Sequence, residues 1–337
     1  MTELRKDPAV GRWVIISTER GRRPSDFSVE ESVKVDERDC PFCEGNEFMT
    51  PPEIFSYRSD NTKPNTPGWR IRVVPNKFPA LQIEGELNKR EEGIYEVMNG
   101  IGTHEVIIET PRHIDDVFSL EEKVVEDVIW VYKERMVDLT KDSRFKYVLI
   151  FKNKGKIAGA SLNHSHSQLI ATPVIPKRVE EEIGGAKKYF DLKKRCVFCD
   201  IINQELETKE RLLWKNEDFV SFCPFASRFP YEMSILPKRH SSDFRKISKV
   251  EIKSLARILK KCINHLNNIL PGVPYNYIVH TSPSDRSDLD YYHWHLEIMP
   301  RLTRIAGFEW GTGFYINYMP PEEAAKYLKK KRQKNDK

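Results

Sequence analysis

Apolar residues recur along this chain in two rhythms. HEVIIET (104–110) and EMSILP (232–237) are runs of β-branched and apolar residues bounded by Pro or His, which predicts strands. Residues 119–142, SLEEKVVEDVIWVYKERMVDLTKD, place apolar side chains three and four apart behind Ser119, with Glu121 and Glu122 in the first turn. That spacing predicts a long amphipathic helix. ISKVEIKSLARILKKCINHLNNIL (247–270) reads as its counterpart. YVLIF (147–151), YNYIV (275–279), HSHSQLIATP (164–173) and HWHLEIMPR (293–301) read as strands, and residues 178–195, with Gly184-Gly185, as a connection.

These elements repeat. The first half runs CPFC (40–43), PRHIDDVFSL (111–120), YVLIFKNKG (147–155) and then HSHSQ; the second runs CVFC (196–199), PKRHSSDFRKI (237–247), YNYIVHTSP (275–283) and then HWHLE. His113 lies 51 residues before His164, and His240 lies 53 before His293, so the His-to-HxH spacing is nearly fixed. Two copies of one unit are predicted, each β-β-α-β-β, an antiparallel α+β sheet with a helix packed on one face. The division expected is 1–180 for the first domain, 190–325 for the second and 326–337 for a basic tail.

Composition fits that division. The 337 residues are 39% hydrophobic and suffice for two domains. No run approaches the ~18 apolar residues of a membrane span, and Met1–Asp7 has no apolar leader, which predicts a cytoplasmic protein. The net charge of +5 is local: residues 326–337 hold seven Lys/Arg against Asp336, a balance of +6, leaving −1 for the rest. A neutral body argues against a nucleic-acid partner, which clustered Lys/Arg would mark.

Four of the six cysteines form the two C-x-x-C pairs, each opening a polar loop; Cys223 and Cys262 read as core. Paired C-x-x-C in such a chain points to zinc rather than disulfides. With the repeated histidines they make two complete Cys2His2 sets: Cys40, Cys43, His113, His164, and Cys196, Cys199, His240, His293. Two structural Zn2+ ions per chain are expected.

On a strand His164, His166 and Gln168 share a face, as do His293, His295 and Glu297. His164 taken by metal would fix its neighbour His166. The preceding NKGKIAGAS (153–161) is basic and glycine-dotted, suited to backbone approach to phosphate. A neutral imidazole can attack phosphorus and divide one displacement into two. Gln168 can hydrogen-bond a phosphoryl oxygen without adding charge, whereas Glu297 would repel it. The first copy is therefore expected to be catalytic.

With these motifs, and with DPAVGRWVIISTERGRRP (7–24), VVPNKFPAL (73–81) and GFEWGTGFYIN (307–317), the chain resembles the galactose-1-phosphate uridylyltransferase family and its nucleotide-sugar phosphorylase relatives in the histidine-triad superfamily. The resemblance spans nearly the whole chain. It implies two histidine-triad-like domains, zinc near the active site, and ping-pong transfer of UMP from UDP-glucose to galactose 1-phosphate through a uridylyl-histidine. His166 matches the nucleophile and Gln168 its partner; Cys40, Cys43, His113 and His164 match the zinc ligands. Arg20, Arg23, Asn76, Phe78, Asn153, Gly159 and Ser161 match substrate-binding positions. Phe308 and Glu309 match a sugar-recognising segment that reaches the partner subunit's site, which implies a homodimer. Two positions depart from the classical transferases: Ser165 replaces the usual Pro, and His295-Leu296-Glu297 stands where they carry H-A-H for a second, iron-type metal. The second C-x-x-C and the HSHSQ run resemble the plant phosphorylase branch, which implies the alternative of ADP-glucose and inorganic phosphate.

Overall fold

The computed structural model describes residues 2–17, 37–59, 61–114 and 116–330. Its first half contains the strands β1 (Glu3–Lys6), β2 (Trp13–Ile16), β3 (Phe55–Arg58), β4 (Trp69–Pro75), β5 (Arg90–Glu92), β6 (Tyr95–Val97) and β7 (Thr103–Ile108). Then come β8 (Tyr147–Lys154) and β9 (His166–Thr172), preceded by helix α1 (Glu122–Leu139). Helices α2 (Lys177–Lys193) and α3 (Val197–Thr208) lead into β10 (Leu212–Lys215), β11 (Phe219–Phe222) and β12 (Met233–Pro237). The chain closes with α4 (Lys249–Ile269), β13 (Tyr275–His280), β14 (His295–Pro300), α5 (Gly307–Thr312), β15 (Tyr315–Asn317) and α6 (Pro321–Lys329).

Ten strands form one sheet in the order β10-β11-β12-β14-β13-β8-β9-β7-β4-β3. Each half contributes five strands in mirrored order, one more than the sequence predicts, because LLWK and FVSF on one side and FSYR on the other are too short to show alternation. The halves join edge to edge where β13 pairs antiparallel with β8, Asn276 opposite Asn153. β2 pairs antiparallel with β1 and parallel with β15 in a separate three-stranded sheet.

α1 and α4 lie side by side on one face of the large sheet. Their apolar stripes bury Val128, Ile129, Leu255 and Leu259 in one core with Ile150, Leu169, Tyr277 and Ile298. α4 starts at Ser248, whose hydroxyl accepts from Glu251 N while Glu251 returns to Ser248 N, a capping box. α1 begins later than predicted: Val117–Ser119 is a short 3-10 turn, and Glu121 occupies the cap position without a side-chain bond.

Two further expectations need correction. Residues 178–195 are not a bare connection but lie largely within α2, whose Gly185 has no room for a side chain because Ala9 O lies 1.9 Å from where a Cβ would stand. The second C-x-x-C does not open a polar loop either: Cys196 is the residue before α3, so the pair begins a helix. Among the described residues no helix is long and apolar enough to cross a membrane. The basic tail is described as far as Lys330, partly as the end of α6; residues 331–337 lie outside.

Candidate active site and metal clusters

The face of the sheet opposite α1 and α4 carries the predicted chemistry. Strand β9 begins at His166, so His164 and Ser165 lie just before it, yet Glu109 N still donates to Ser165 O (3.2 Å) and keeps them aligned with the sheet. His166 Nδ1 donates to the carbonyl of His164 (2.7 Å). The imidazole is thereby fixed in the tautomer whose Nε2 holds a free lone pair. It is 5% exposed and meets the edge of Phe42 at 5.2 Å between ring centroids. Burial, with the nearby Lys152 ammonium adding to it, lowers the imidazole's pKa, so the ring is neutral at pH 7.

The backbone of His164 is held by its own side chain. Its Nδ1 lies 3.5 Å from both Cys40 Sγ and Cys43 Sγ, and His113 Nδ1 lies 3.3 Å from Cys43 Sγ. These match the edges of ~3.5 Å expected for tetrahedral zinc with Zn–S of ~2.3 Å and Zn–N of ~2.0–2.1 Å. His164 Nε2 donates to Thr110 O (2.7 Å), which leaves Nδ1 for a metal. Burial, then the neighbouring Cys40, pushes the Cys43 thiol up to about 12, so a thiolate there requires a cation.

The second cluster repeats this plan. Cys199 Sγ lies 3.4 Å from His240 Nδ1 and 3.7 Å from His293 Nδ1; His293 Nε2 donates to Pro237 O (2.8 Å) and His240 Nε2 to Leu289 O (3.3 Å). In each cluster the four ligand atoms lie within 4.8 Å of one another, and all six cysteines are free thiols. Both Cys2His2 clusters can hold a metal ion.

Beneath β9, on the helix side, lies a buried polar network. Lys152 Nζ donates to Glu109 (2.5 Å), to Ser165 Oγ (3.0 Å) and to the His166 carbonyl (3.0 Å). Ser165 and Ser167 both donate to Glu109, and Tyr132 bridges Ser167 and Tyr277. Burial alone would raise the Glu109 carboxyl, but Lys152 and the two serines hold it below the usual range. Lys152→Met should cost ~3–5 kcal/mol by leaving a buried carboxylate uncompensated. Lys152→Met/Glu109→Leu should regain much of that loss, as read by urea unfolding.

Gln168 faces the site, its Oε1 2.7 Å from His104 Nε2. Asn76 Nδ2 lies 3.1 Å from the same nitrogen, and Asn76 Oδ1 accepts from Phe78 N (2.9 Å). Asn76 N donates to the His104 carbonyl (2.8 Å) while His104 Nε2 donates to Gln168, so His104 ties the Asn76–Phe78 loop to Gln168, with the Phe78 ring 84% exposed above. The sequence reading missed His104, taking its segment only as a strand. Lys152 and Glu109 were missed for the same reason: only the strand register shows that they share a face beneath His166.

Asn153 lies on β8, and two residues beyond the last β8/β9 pair the register places it opposite His166. Gly155 (φ 83°) and Gly159 (φ 92°) bound the turn that follows; a Cβ at Gly155 would come within 2.9 Å of Pro274. Ser161 is exposed beyond it. Phe308 and Glu309 stand apart on α5, where Glu309 accepts from Ala306 N (3.0 Å). Among the described residues none of their hydrogen bonds or ring contacts reaches the His166 group. Arg20 and Arg23 lie outside the described residues.

The same face of the second half is filled by ion pairs. Glu182 reaches down from α2 to His280 (3.0 Å) and His295 (3.2 Å). Glu297, at Gln168's place, pairs with Arg228 (2.6 Å) and His280 (3.2 Å). Ligand atoms of Glu182, His280 and His295 also lie within 4.8 Å of one another. Burial works against charge on His280, but Glu182 and then Glu297 outweigh it and push its pKa up to about 10. With a carboxylate on each nitrogen the ring is set up as an imidazolium, and Glu182, His280 and His295 are placed to hold a metal ion in place of its proton. The helix that the sequence reading took for a connection supplies the residue closing this half.

Fold and site together define a duplicated α+β protein in which a Cys2His2 cluster able to hold a metal ion adjoins a buried, neutral histidine next to a glycine-bounded turn. A family model described as a domain of unknown function (DUF4921) matches residues 85–336. The chain is 38% identical to ADP-glucose phosphorylase of Arabidopsis thaliana over 97% of its length and 92% of that protein's. It is 32% identical to galactose-1-phosphate uridylyltransferase of Thermotoga maritima, covering 98% of each chain. The crystal structure of the Arabidopsis thaliana ADP-glucose phosphorylase with bound ADP-glucose superposes with a TM-score of 0.84 at 36% identity, over 99% of this chain and 100% of that one. The chain belongs to the galactose-1-phosphate uridylyltransferase family, which includes ADP-glucose phosphorylase.

Proposed function

We propose that this protein transfers a nucleoside monophosphate from a nucleotide sugar to a phosphate-bearing acceptor through a covalent adduct on His166. The observation that carries the reading is the Nδ1–H bond to the His164 carbonyl, which leaves a neutral Nε2 with its lone pair free in a buried site. Nε2 attacks the α-phosphorus; the bond from that phosphorus to the β-phosphate bridging oxygen breaks, and the hexose 1-phosphate departs with the bond pair. An acceptor phosphate oxygen then attacks the same phosphorus and Nε2 leaves. Gln168 and Asn153 flank the phosphorus as neutral hydrogen-bonding groups, and the 155–159 turn offers backbone close to phosphate. Arg20 and Arg23 complete the phosphate contacts in this reading.

A Zn2+ ion in each Cys2His2 cluster, two per chain, would supply only structural bonds, the first fixing His164 and hence the carbonyl that orients His166. Residues 1–180 would supply the reactive half, and residues 190–325 the closed one. The isolation of Phe308 and Glu309 supports their service in a partner subunit's site, hence a homodimer.

The resemblance to the uridylyltransferases, with 32% identity to that of Thermotoga maritima, supports UDP-glucose as donor and galactose 1-phosphate as acceptor. A second reading, ADP-glucose as donor and inorganic phosphate as acceptor, is favoured by the 38% identity to the plant phosphorylase. Incubation with labelled UDP-glucose or ADP-glucose, each with galactose 1-phosphate or with phosphate, separates them: labelled UDP-galactose marks the first and labelled ADP the second. Formation of neither product would contradict the proposal. Gln168→Ala should slow adduct formation by ~2–4 kcal/mol in barrier, the usual loss for one preorganised donor. Gln168→Glu should be slower still, since it sets a carboxylate beside phosphate; rapid-quench measurement of the first half-reaction checks both.

A further inference from the structure

Asn153 is useful to a phosphate only if its amide turns the right way. An amide offers NH2 at one end and oxygen at the other, and only the NH2 end attracts an anion. The neighbouring strand β13 decides the matter. Asn276 lies directly opposite Asn153 across the junction of the two halves. Its amide makes two short contacts, to Ala158 O (2.8 Å) and to Asn153 Oδ1 (2.7 Å). A backbone carbonyl can only accept, so the Asn276 atom facing it must be the nitrogen. That nitrogen donates to Asn153 as well, which requires Asn153 to present its oxygen to Asn276 and turn its NH2 away.

The NH2 is turned toward the glycine turn: Asn153 Nδ2 lies 3.5 Å from where a Cβ on Gly159 would stand. The same Asn276 nitrogen holds Ala158 in the turn bounded by Gly155 and Gly159. His166, Asn153 and Asn276 form one row across β9, β8 and β13, on one face of the sheet. Both hydrogen bonds of the Asn276 side-chain amide go to groups beside the glycine turn.

We propose that Asn276, from the second half, is a positioning residue that sets the amide of Asn153 and the 155–159 turn as hydrogen-bond donors to a nucleoside diphosphate. The identity of that ligand rests on the transfer reading above. The positioning itself is tested by binding without turnover.

Asn276→Asp reverses the bond: a carboxylate accepts from Asn153 NH2 and turns the Asn153 oxygen toward the phosphates. Affinity for ADP and UDP, by calorimetry, should fall about 100-fold, the size expected for losing a hydrogen bond to a charged ligand. Asn276→Ala, which frees the amide without reversing it, should lose about 10-fold. In an Asn153→Ala background Asn276→Asp should add about 10-fold at most, because the shared contact is already gone and only the bond to Ala158 O remains to be lost. Metal content and melting temperature measured on each variant separate misfolding from misorientation. Wild-type affinity in Asn276→Asp, or a full additional loss in the double variant, would overturn the inference, as would a wild-type protein that binds neither nucleotide. Binding with the expected ratios but without label exchange would uphold it and count against the transfer reading alone.

Discussion

His166→Ala should lose all exchange of label between a nucleotide sugar and its hexose 1-phosphate, while its metal content and melting temperature stay near wild type. The reason is geometric. Of the other buried imidazoles on this face, His164 and His293 belong to the Cys2His2 clusters, and His295 has its Nε2 3.2 Å from Glu182 in the closed half. Gln168 and Asn153 are amides and form no stable phosphoryl adduct. With the imidazole removed, the residual rate should approach that of the solution reaction. His166→Gly should regain part of the exchange when imidazole is added, because the ring can re-enter the space. His295→Ala should retain wild-type exchange. The reverse pattern would put the reactive centre in the second half.

The second large effect concerns the metal. Structural zinc contributes on the order of 10 kcal/mol, comparable with the ~5–15 kcal/mol that stabilises a whole domain. Cys40→Ser should release one of two ions, lower the melting temperature sharply and abolish exchange, because His164 no longer fixes the carbonyl that orients His166. Cys196→Ser should also release one ion and lower the melting temperature. Its exchange at low temperature should be far less affected, since that cluster braces the closed half. Elemental analysis with thermal melting distinguishes the two; metal-free protein with both cysteine pairs oxidised would contradict the assignment.

The first-half motifs were legible because their chemistry is sequence-local. C-x-x-C pairs and H-x-H runs recur at near-fixed spacing, and a period-2 strand puts His166 and Gln168 on one face without knowledge of the fold. The residues that complete the site were not. His104, Lys152 and Asn276 act through strand register, and register is set by pairings that join β7 to β9 and β8 to β13 across long stretches of chain. Glu182 escaped for another reason. Its helix carries Gly184-Gly185, which propensity reads as a break, but packing against Ala9 at Gly185 overrides that preference. The Ser119 start failed because a 3-10 turn consumed the expected cap.

The central claim is that His166 carries the nucleotidyl group. Protein quenched in acid-free denaturant after mixing with UDP-glucose or ADP-glucose, without acceptor, should gain the mass of one nucleoside monophosphate less water. Peptide mapping should place it on His166, and acid should release it, as a phosphoramidate requires. No mass gain with either donor, or a gain mapped to any other residue, would contradict the account.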